Sequence, residues 1–395
     1  MHRQSRRFDF RLKSVVNWLF QTKAKTHPRT DEGNAMLCPN HSDNARIVSR
    51  AIGRCSLCLE SDKSVLEAAV RKHESLRESE GLVPAIPAAG AIVCPDCGNH
   101  CRLYEGNIGY CNLRVAKEGK VEHRFGRKAV VSWYFDPLPT NCVADWVCPV
   151  TKRDPAFHYS RRLNNLAVFY GSCNSDCLFC QNTSYREMMA RGSPLMTAEE
   201  LASVANDRTA CVCYFGGDPA CNPEHSLETS RLLYQSRRVK VCYETNGNIS
   251  TKWLGPIADI VKESGGTLKF DLKAVTPQIY KGLTGVSNKA VLANFEKLAK
   301  IGRERESEFL VVSILLVPGY IGISELRVLA QFIASQDPTI PTAMLGFSPH
   351  HAMSDLPRTS RAHAETAKTV AIEAGLTNVR IGNVGLLSSA NYTYE

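Results

Sequence analysis

The stretch Tyr170-Gly-Ser-Cys173-Asn-Ser-Asp-Cys177-Leu-Phe179-Cys180-Gln-Asn182 carries three cysteines separated by three and then two residues. Thiolates at that spacing can converge on one inorganic centre from a single short loop, and they leave it one ligand short of four. An iron–sulfur cluster of the four-iron type takes four Cys thiolates, and the ferredoxin runs that supply them use other spacings. Three local ligands therefore leave one iron open to something other than protein. The alternative, for this loop alone, is a tetrahedral zinc site completed by a remote Cys or His.

Downstream of this loop the sequence becomes regular. Short apolar, β-branched runs predict strands at Leu166–Tyr170, Cys211–Phe215, Val239–Tyr243, Leu268–Leu272, Phe309–Val317, Ala343–Phe347 and Val379–Ile381. Helices are predicted between them, near 198–206, 224–236, 251–264, 288–301, 323–335 and 360–374. Thr197-x-x-Glu200 has the capping-box form at one helix start, and Gly302 and Gly375 stand where helix C-termini would end. Strands alternating with helices imply a parallel sheet buried on both faces. Six or seven such units predict an α/β fold, a complete or partial β/α barrel.

Functional groups of such barrels project from the C-terminal ends of the strands, and the unusual polar motifs fall there in succession. The cysteine loop follows the first strand, Gly216-Gly217-Asp218-Pro219 the second, Glu244-Thr245-Asn246-Gly247 the third and Asp271-Leu272-Lys273 the fourth. Pro318-Gly319-Tyr320, Ser348-Pro349-His350 and Gly382-Asn383 end the remaining three. Singly each is an ordinary turn signal; together they draw a ring around one cavity. His350 and His351 are candidates to face it, with a solvated or structural pair as the alternative.

Upstream lie further cysteines. Cys38-Pro-Asn-His41 followed by Cys55-Ser-Leu-Cys58 can close one tetrahedral metal site, with a reduced-thiol loop as the alternative. Residues 59–90 begin with a helical pattern (Val65, Leu66, Ala69, Val70) and pass into Leu82-Val-Pro-Ala-Ile-Pro-Ala-Ala-Gly90, whose aperiodic Pro, Ala and Gly mark a linker. Cys94, Cys97, Cys101 and Cys111 then form a turn-rich knuckle suited to zinc or iron, where four thiolates would staple a small coreless module. Cys142 and Cys148 can ligate a cluster, line the active site or be buried structural thiols, and spacing leaves these open. The expected organisation is a basic, disordered extension at 1–35, a Cys-rich segment and linker at 36–90, a knuckle module at 91–160 and the barrel at 161–395.

Composition bounds the rest. With 395 residues, 44% of them hydrophobic, there is room for one large domain and a smaller one. The longest apolar run, Phe309 to Val317, is strand-length and far from the roughly 18 residues of a membrane helix. Eight Lys or Arg against Asp9 give residues 1–30 a charge of +7 out of the chain's +9, so the body is nearly neutral. A nucleic-acid footprint should instead be a basic face on a folded domain, and nucleic acid is not the expected partner. The basic head reads as a disordered arm or an extension upstream of a start at Met36, with a transit-like segment as the third option. Sixteen cysteines in clusters, with no apolar signal peptide before them, fit metal ligation in a reducing cytoplasm better than disulfides.

On these motifs, residues from about 94 to 387 resemble the radical S-adenosylmethionine (radical SAM) enzymes related to pyruvate formate-lyase activating enzyme. They resemble more closely the AmmeMemoRadiSam-system radical SAM enzymes, which share the upstream knuckle, the Cys-Gln-Asn ending at Asn182, the Asp271-Leu-Lys273 motif, the strand ending in Val-Pro-Gly and the Arg-Ile-Gly-Asn terminus at 380–383. The resemblance implies a partial (β/α)6-type barrel in which Cys173, Cys177 and Cys180 hold a [4Fe-4S] cluster whose open iron is chelated by the amino and carboxylate groups of SAM. Phe179 would pack against cluster and adenine. Gly216, Gly217 and Asp218 stand where the family has Gly-Gly-Glu, which meets the SAM amino group. Glu244, Thr245, Asn246, Asp271 and Lys273 match positions around the methionine moiety and ribose, with salt-bridged strand ends as the alternative reading.

An electron from the reduced cluster would break the S–C5′ bond, and the resulting 5′-deoxyadenosyl radical would abstract hydrogen from substrate. The resemblance further implies anaerobic, oxidoreductase-type chemistry on a protein or peptide and a ferredoxin or flavodoxin as electron donor. Two rivals remain. A cobalamin-dependent radical SAM C-methyltransferase would hide its cobalamin site before residue 160. A zinc-ribbon nucleic-acid-binding protein would make every cysteine structural, but it leaves the ring of strand-end motifs unexplained.

Overall fold

The computed structural model describes residues 36–41, 46–152, 162–302 and 309–390, so the basic extension expected at 1–35 lies outside the described residues. Three small antiparallel pairs come first: β1 (Met36–Leu37) with β2 (Ile47–Val48), β3 (Ile92–Val93) with β4 (Arg102–Leu103), and β5 (Arg114–Lys117) with β6 (Lys120–His123). Helices α1 (Ser56–Ser61) and α2 (Lys63–Ser79) lie between the first two pairs.

The main sheet is built from β7 (Ala129–Pro137), β8 (Asn164–Tyr170), β9 (Leu195–Met196), β10 (Thr209–Gly216), β11 (Lys240–Thr245), β12 (Leu268–Asp271), β13 (Leu310–Leu316), β14 (Thr342–Gly346) and β15 (Val379–Gly382). Its order is β15-β14-β13-β12-β11-β10-β8-β7-β9. From β8 and β10 through to β15 neighbouring strands run parallel. Their helical crossovers contain α3 (Ser184–Arg191), α4 (Ala198–Ser203), α5 (Pro223–Arg237), α6 (Thr251–Ser264), α7 (Pro277–Thr284), α8 (Lys289–Gly302), α9 (Ile323–Gln336) and α10 (Arg361–Glu373). The sheet ends at β15 and β9 without closing, so of the complete and partial barrels that the alternating pattern allows it is the partial one. At the start of α4 the capping box is complete: Glu200 N donates to Thr197 Oγ1 at 3.2 Å, and Thr197 N to Glu200 Oε2 at 2.7 Å.

One strand extends the sheet upstream of the regular pattern. β7 runs antiparallel along the full length of β8, pairing Val131 with Tyr170 and Pro137 with Asn164, while Ala129 and Val130 pair with β9. It covers the edge that β8 would otherwise expose, so the sheet reaches back into the segment expected to form the knuckle module.

Alternation along each parallel strand separates two faces. On β10, Val212 and Tyr214 turn toward the helices, where the Tyr214 hydroxyl donates to the Ser226 carbonyl of α5 at 2.8 Å. Cys211, Cys213 and Phe215, between and after them, turn into the barrel. Interior residues nearest the C-terminal strand ends surround the cavity described below.

The upstream segments pack on the barrel's C-terminal rim. Gly319 has φ +77° and a Cβ there would fall 1.9 Å from the Ile47 carbonyl oxygen, so only glycine lets β2 lie against the turn after β13. Beside it, Ser49 N donates to the Tyr320 hydroxyl at 3.0 Å, and Arg50 N to Asp355 at 2.7 Å. The Pro/Ala/Gly stretch expected as a linker is laid down rather than loose: Leu82 is buried with Leu113, Val130 and Met189, and the Pro87 carbonyl accepts from Arg102 N at 2.8 Å. Among the described residues no helix is long and apolar enough to cross a membrane.

Candidate functional site

The cysteine loop leaves β8 and is pinned at several points. Asp176 N donates to the Thr284 carbonyl at 2.8 Å, Leu178 N to the Leu283 carbonyl at 3.0 Å, and Asp218 N to the Ser172 carbonyl at 2.8 Å. Gly217 makes the last contact feasible, since a Cβ at its φ of +59° would sit 2.2 Å from the Tyr170 carbonyl oxygen. Asn246 clamps the loop from the next strand end: its Nδ2 donates to Asn174 Oδ1 at 2.9 Å and Ser175 Oγ at 3.2 Å, and lies 3.8 Å from Cys173 Sγ.

Cys173, Cys177 and Cys180 all line one cavity of about 190 Å³. Burial pushes the Cys177 and Cys180 thiols up to about 12, and raises Cys173 as well, while main-chain N–H groups of Ser175 and Asn182 point at Cys173 and Cys180 and favour their anionic forms. Thiols so placed lose their protons to solvent when a cation binds the sulfur and offsets its negative charge, which is what an iron centre does. The donor set therefore fits the three-thiolate cluster inferred from spacing.

Across the cavity stand the other predicted residues. Burial opposes the charge on Lys273, but Asp271, with which it is paired, and the neighbouring Cys177 outweigh it and raise its pKa above that of ordinary lysine. Glu244 pairs with Lys269 at 3.0 Å. Phe179 is buried against the cavity. Asp218 has both oxygens occupied, accepting from Ala220 N at 2.8 Å, Thr245 Oγ1 at 2.9 Å and Asn246 N at 2.7 Å. Burial nevertheless raises it to about 6, and its present contacts tie the β10 and β11 loops together. Gly216 abuts the Phe169 ring and is not a cavity residue.

The ring of motifs is thus only partly a ring. The loops after β8, β10, β11, β12 and β15 reach the cavity, whereas Gly319 and Tyr320 after β13 receive the Cys38–Cys58 segment, the first knuckle, instead. His350 is exposed, and His351 packs near Arg186 and Glu80, so neither lines the cavity. Sequence motifs missed Lys269, Phe215, Ser313, Leu315 and Leu345, which do line it. Their signal was the period-two alternation of ordinary strand residues, which names an inward face only once the strand phase is known.

Beneath the cysteine loop lies a charge cluster that spacing did not reveal. Asp176, between two cluster cysteines, has no exposed surface, and accepts from His73 Nδ1 at 2.8 Å and from Arg186, with Arg77 at 3.6 Å. The second His73 nitrogen faces the Gly282 carbonyl at 3.0 Å, so both ring nitrogens face acceptors. Burial alone would raise Asp176, but the His73 bond and the two guanidinium groups outweigh it and hold the carboxyl at about 2.

Two further thiol groups flank the barrel. Cys38, His41, Cys55 and Cys58 place four donor atoms within 4.8 Å of one another. Sγ–Sγ separations are 3.7 Å (Cys38–Cys58) and 3.9 Å (Cys55–Cys58), and His41 Nδ1 lies 3.7, 3.3 and 3.4 Å from the three sulfurs. A tetrahedral zinc with bonds of about 2.3 Å to sulfur spaces its thiolates by roughly 3.8 Å, and this group matches it. The second knuckle brings Cys94, Cys97, Cys101 and Cys111 together less tightly. Tyr110 N donates to Cys101 Sγ at 3.4 Å, and Cys111 shares a hydrogen bond with Cys221, a residue the motif did not include. This knuckle touches the cysteine loop through Ser172 Oγ on the Cys111 carbonyl at 2.8 Å and Asn99 Nδ2 on the Asn174 carbonyl at 2.8 Å.

Two outcomes follow. Asp176→Asn should destabilise the chain by about 3–5 kcal/mol in denaturant unfolding, because it strands buried cations. Since the folded carboxyl titrates near 2, below its unfolded value, its stabilisation is complete above about pH 4 and is lost as pH falls toward 2; the variant should lose that acid limb. Separately, elemental analysis should find zinc bound at Cys38, His41, Cys55 and Cys58, and Cys55→Ser/Cys58→Ser should lose one zinc per chain and lower the melting temperature; unchanged zinc would contradict the assignment.

Residues 167–333 match the sequence model of the Radical SAM superfamily. The uncharacterized protein MJ0808 of Methanocaldococcus jannaschii is 27% identical over 299 residues, covering 74% of this chain and 81% of that protein. Among solved structures, a domain of pyruvate-formate lyase-activating enzyme from Bacteroides vulgatus is 19% identical, covers 44% of this chain and 99% of its own, and gives a TM-score of 0.37. Streptococcus suis SuiB bound to its precursor peptide SuiA is 14% identical, covers 60% of this chain and 54% of its own, with a TM-score of 0.44. The matched region, 167–333, contains the three-thiol loop after the first parallel strand and most of the strand ends that line the cavity.

Proposed function

We propose that this chain is a radical SAM enzyme that holds a [4Fe-4S] cluster on Cys173, Cys177 and Cys180 and SAM in the adjoining cavity, and that it acts on a residue of a protein or peptide. The observation that carries the reading is the convergence of those three thiols with Lys273, Asp271 and Glu244 on one cavity. Bound there, cluster and SAM would supply a 5′-deoxyadenosyl radical that takes a hydrogen atom from substrate.

The chain's own groups have separate tasks. Lys273, fixed by Asp271, sets a positive charge beside Cys177 and offers a donor to a carboxylate. Phe179 supplies a flat apolar surface for an aromatic ring. Phe215, Leu315, Leu345 and Val143 wall the cavity with apolar surface, which keeps water from a reactive intermediate. Asn246 and Asp218 hold the cysteine loop and the neighbouring strand ends in register. The Cys94–Cys111 knuckle, in contact with that loop, is assigned a second metal, zinc or iron. The preference for a protein or peptide substrate rests on the resemblance to the activating enzymes, as does a ferredoxin or flavodoxin donor.

Anaerobic reconstitution with iron and sulfide, followed by dithionite and SAM, tests the reading. The unsubstituted chain should form 5′-deoxyadenosine by mass spectrometry, and Cys177→Ala should fall to the protein-free background. Equal product from both, or zinc bound where iron is expected, would overturn it.

A further inference from the structure

A second group of inward-facing residues lies below the cavity just described. The alternation that sends Val212, Tyr214, Val241 and Tyr243 toward the helices turns Cys211 and Cys213 of β10 and Cys242 of β11 into the barrel. Cys213 and Cys242 stand opposite one another in the strand register. The segment leaving β7 brings two more thiols to them. Its Asp145 pairs with Arg380 of β15 at 2.9 Å, and Ala144 and Val147 pack on Val311 of β13, which sets Cys142 and Cys148 into the same space.

Five thiols and the ammonium group of Lys269 therefore surround one cavity. Barrel interiors are ordinarily filled by branched apolar side chains, and packing alone gives no reason for five sulfurs and a lysine. Lys269 is 4% exposed, with Nζ 3.1 Å from Cys213 Sγ and 3.0 Å from Glu244 Oε1. It borders both this cavity and the upper one, and so forms the floor between them.

We propose that Cys142, Cys148, Cys211 and Cys242 hold a polynuclear iron–sulfur cluster in the barrel floor, with the Cys213–Lys269 pair beside it. The spacing of the thiols favours a cluster over a single ion. Among the described residues, only the Cys38–His41–Cys55–Cys58 group brings three or more such donors within 4.8 Å, and no three of the floor thiols do so. A lone zinc draws its sulfurs to roughly 3.8 Å, whereas a core of several irons and bridging sulfides spreads them wider. Each of the four ligand thiols gives its proton to solvent as its sulfur bonds to iron, and the buried Lys269 ammonium offsets part of the charge left behind. Cys213 stays outside the coordination because the ammonium already occupies its sulfur.

The cluster is independent of the radical SAM site, and the test separates them. In the full-length chain reconstituted anaerobically with iron and sulfide, Cys142→Ser, Cys148→Ser, Cys211→Ser and Cys242→Ser should each lower iron by roughly two to four atoms per chain, the content of one cluster, and remove one signal from the electron paramagnetic resonance spectrum. Zinc at the first knuckle should be unchanged and reports that the chain is folded. A Cys173→Ala/Cys177→Ala/Cys180→Ala chain should keep the floor iron. If the strand variants lose zinc and so have unfolded, the two loop variants decide. Alkylation of the unsubstituted protein gives a second readout: Cys142 and Cys148 should react markedly more slowly after reconstitution than before. Unchanged iron in folded variants, zinc in the floor instead of iron, or equal alkylation rates would overturn the proposal.

Discussion

A carboxylate with no exposed surface sits inside the cysteine loop, and the loop's geometry depends on it. Asp176 lies between Cys173 and Cys177, and its oxygens accept from His73 on α2 and Arg186 on α3, with the Arg77 guanidinium of α2 3.6 Å away. A buried ion of this kind is tolerated only when fully paired, so α2 and the loop must fold against each other. That requirement extends outward. α2 follows directly on the Cys38–Cys58 group, and the turn after β13 accepts β2 through Gly319. The upstream segments thus act as a bracket on the loop rather than as an appended module, and the knuckle at Cys94–Cys111 grips its other side through Ser172 and Asn174.

Strand alternation then divides the barrel interior into layers. At the C-terminal ends, Phe215, Glu244, Asp271 and Leu315 face the cavity with the three loop thiols. One layer down, Cys211, Cys213, Cys242 and Lys269 face the floor. Both layers are unusual for a packed core, and Lys269 joins them by contacting Glu244 above and Cys213 below. Charge is placed sparingly: each cation in the cavity has an acid partner, which lets Lys269 and Lys273 remain buried and charged.

Much of this was legible in the sequence, for identifiable reasons. The strands and their order of occurrence followed from β-branched runs separated by amphipathic helices, and Thr197/Glu200 marked a helix start by a purely local bond. The thiol loop and the Cys38–His41–Cys55–Cys58 group were readable because metal ligation imposes short spacings. What escaped was non-local. Asp176 reads as a loop aspartate until α2 is folded onto it across about a hundred residues of chain. Cys221 and Cys111 meet only in the fold. The Gly319-Tyr320 turn has the form of a cavity motif, yet it serves to dock β2, because a strand-end turn of that shape suits either use. β7 escaped because its run, Ala129–Pro137, lies outside the repeating strand–helix pattern that identified the others.

In the proposed function, three thiolates leave one iron open for SAM in the cavity beside Lys273. Electron paramagnetic resonance of the dithionite-reduced cluster, with SAM labelled by ¹⁷O in its carboxylate and ¹⁵N in its amino group, tests it most directly. The spectrum should be altered by SAM, with hyperfine coupling from both labels to the cluster, and no such coupling should appear in a Cys173→Ala chain. A reduced cluster whose spectrum is unaffected by saturating SAM, or that shows no coupling to either label, would contradict it.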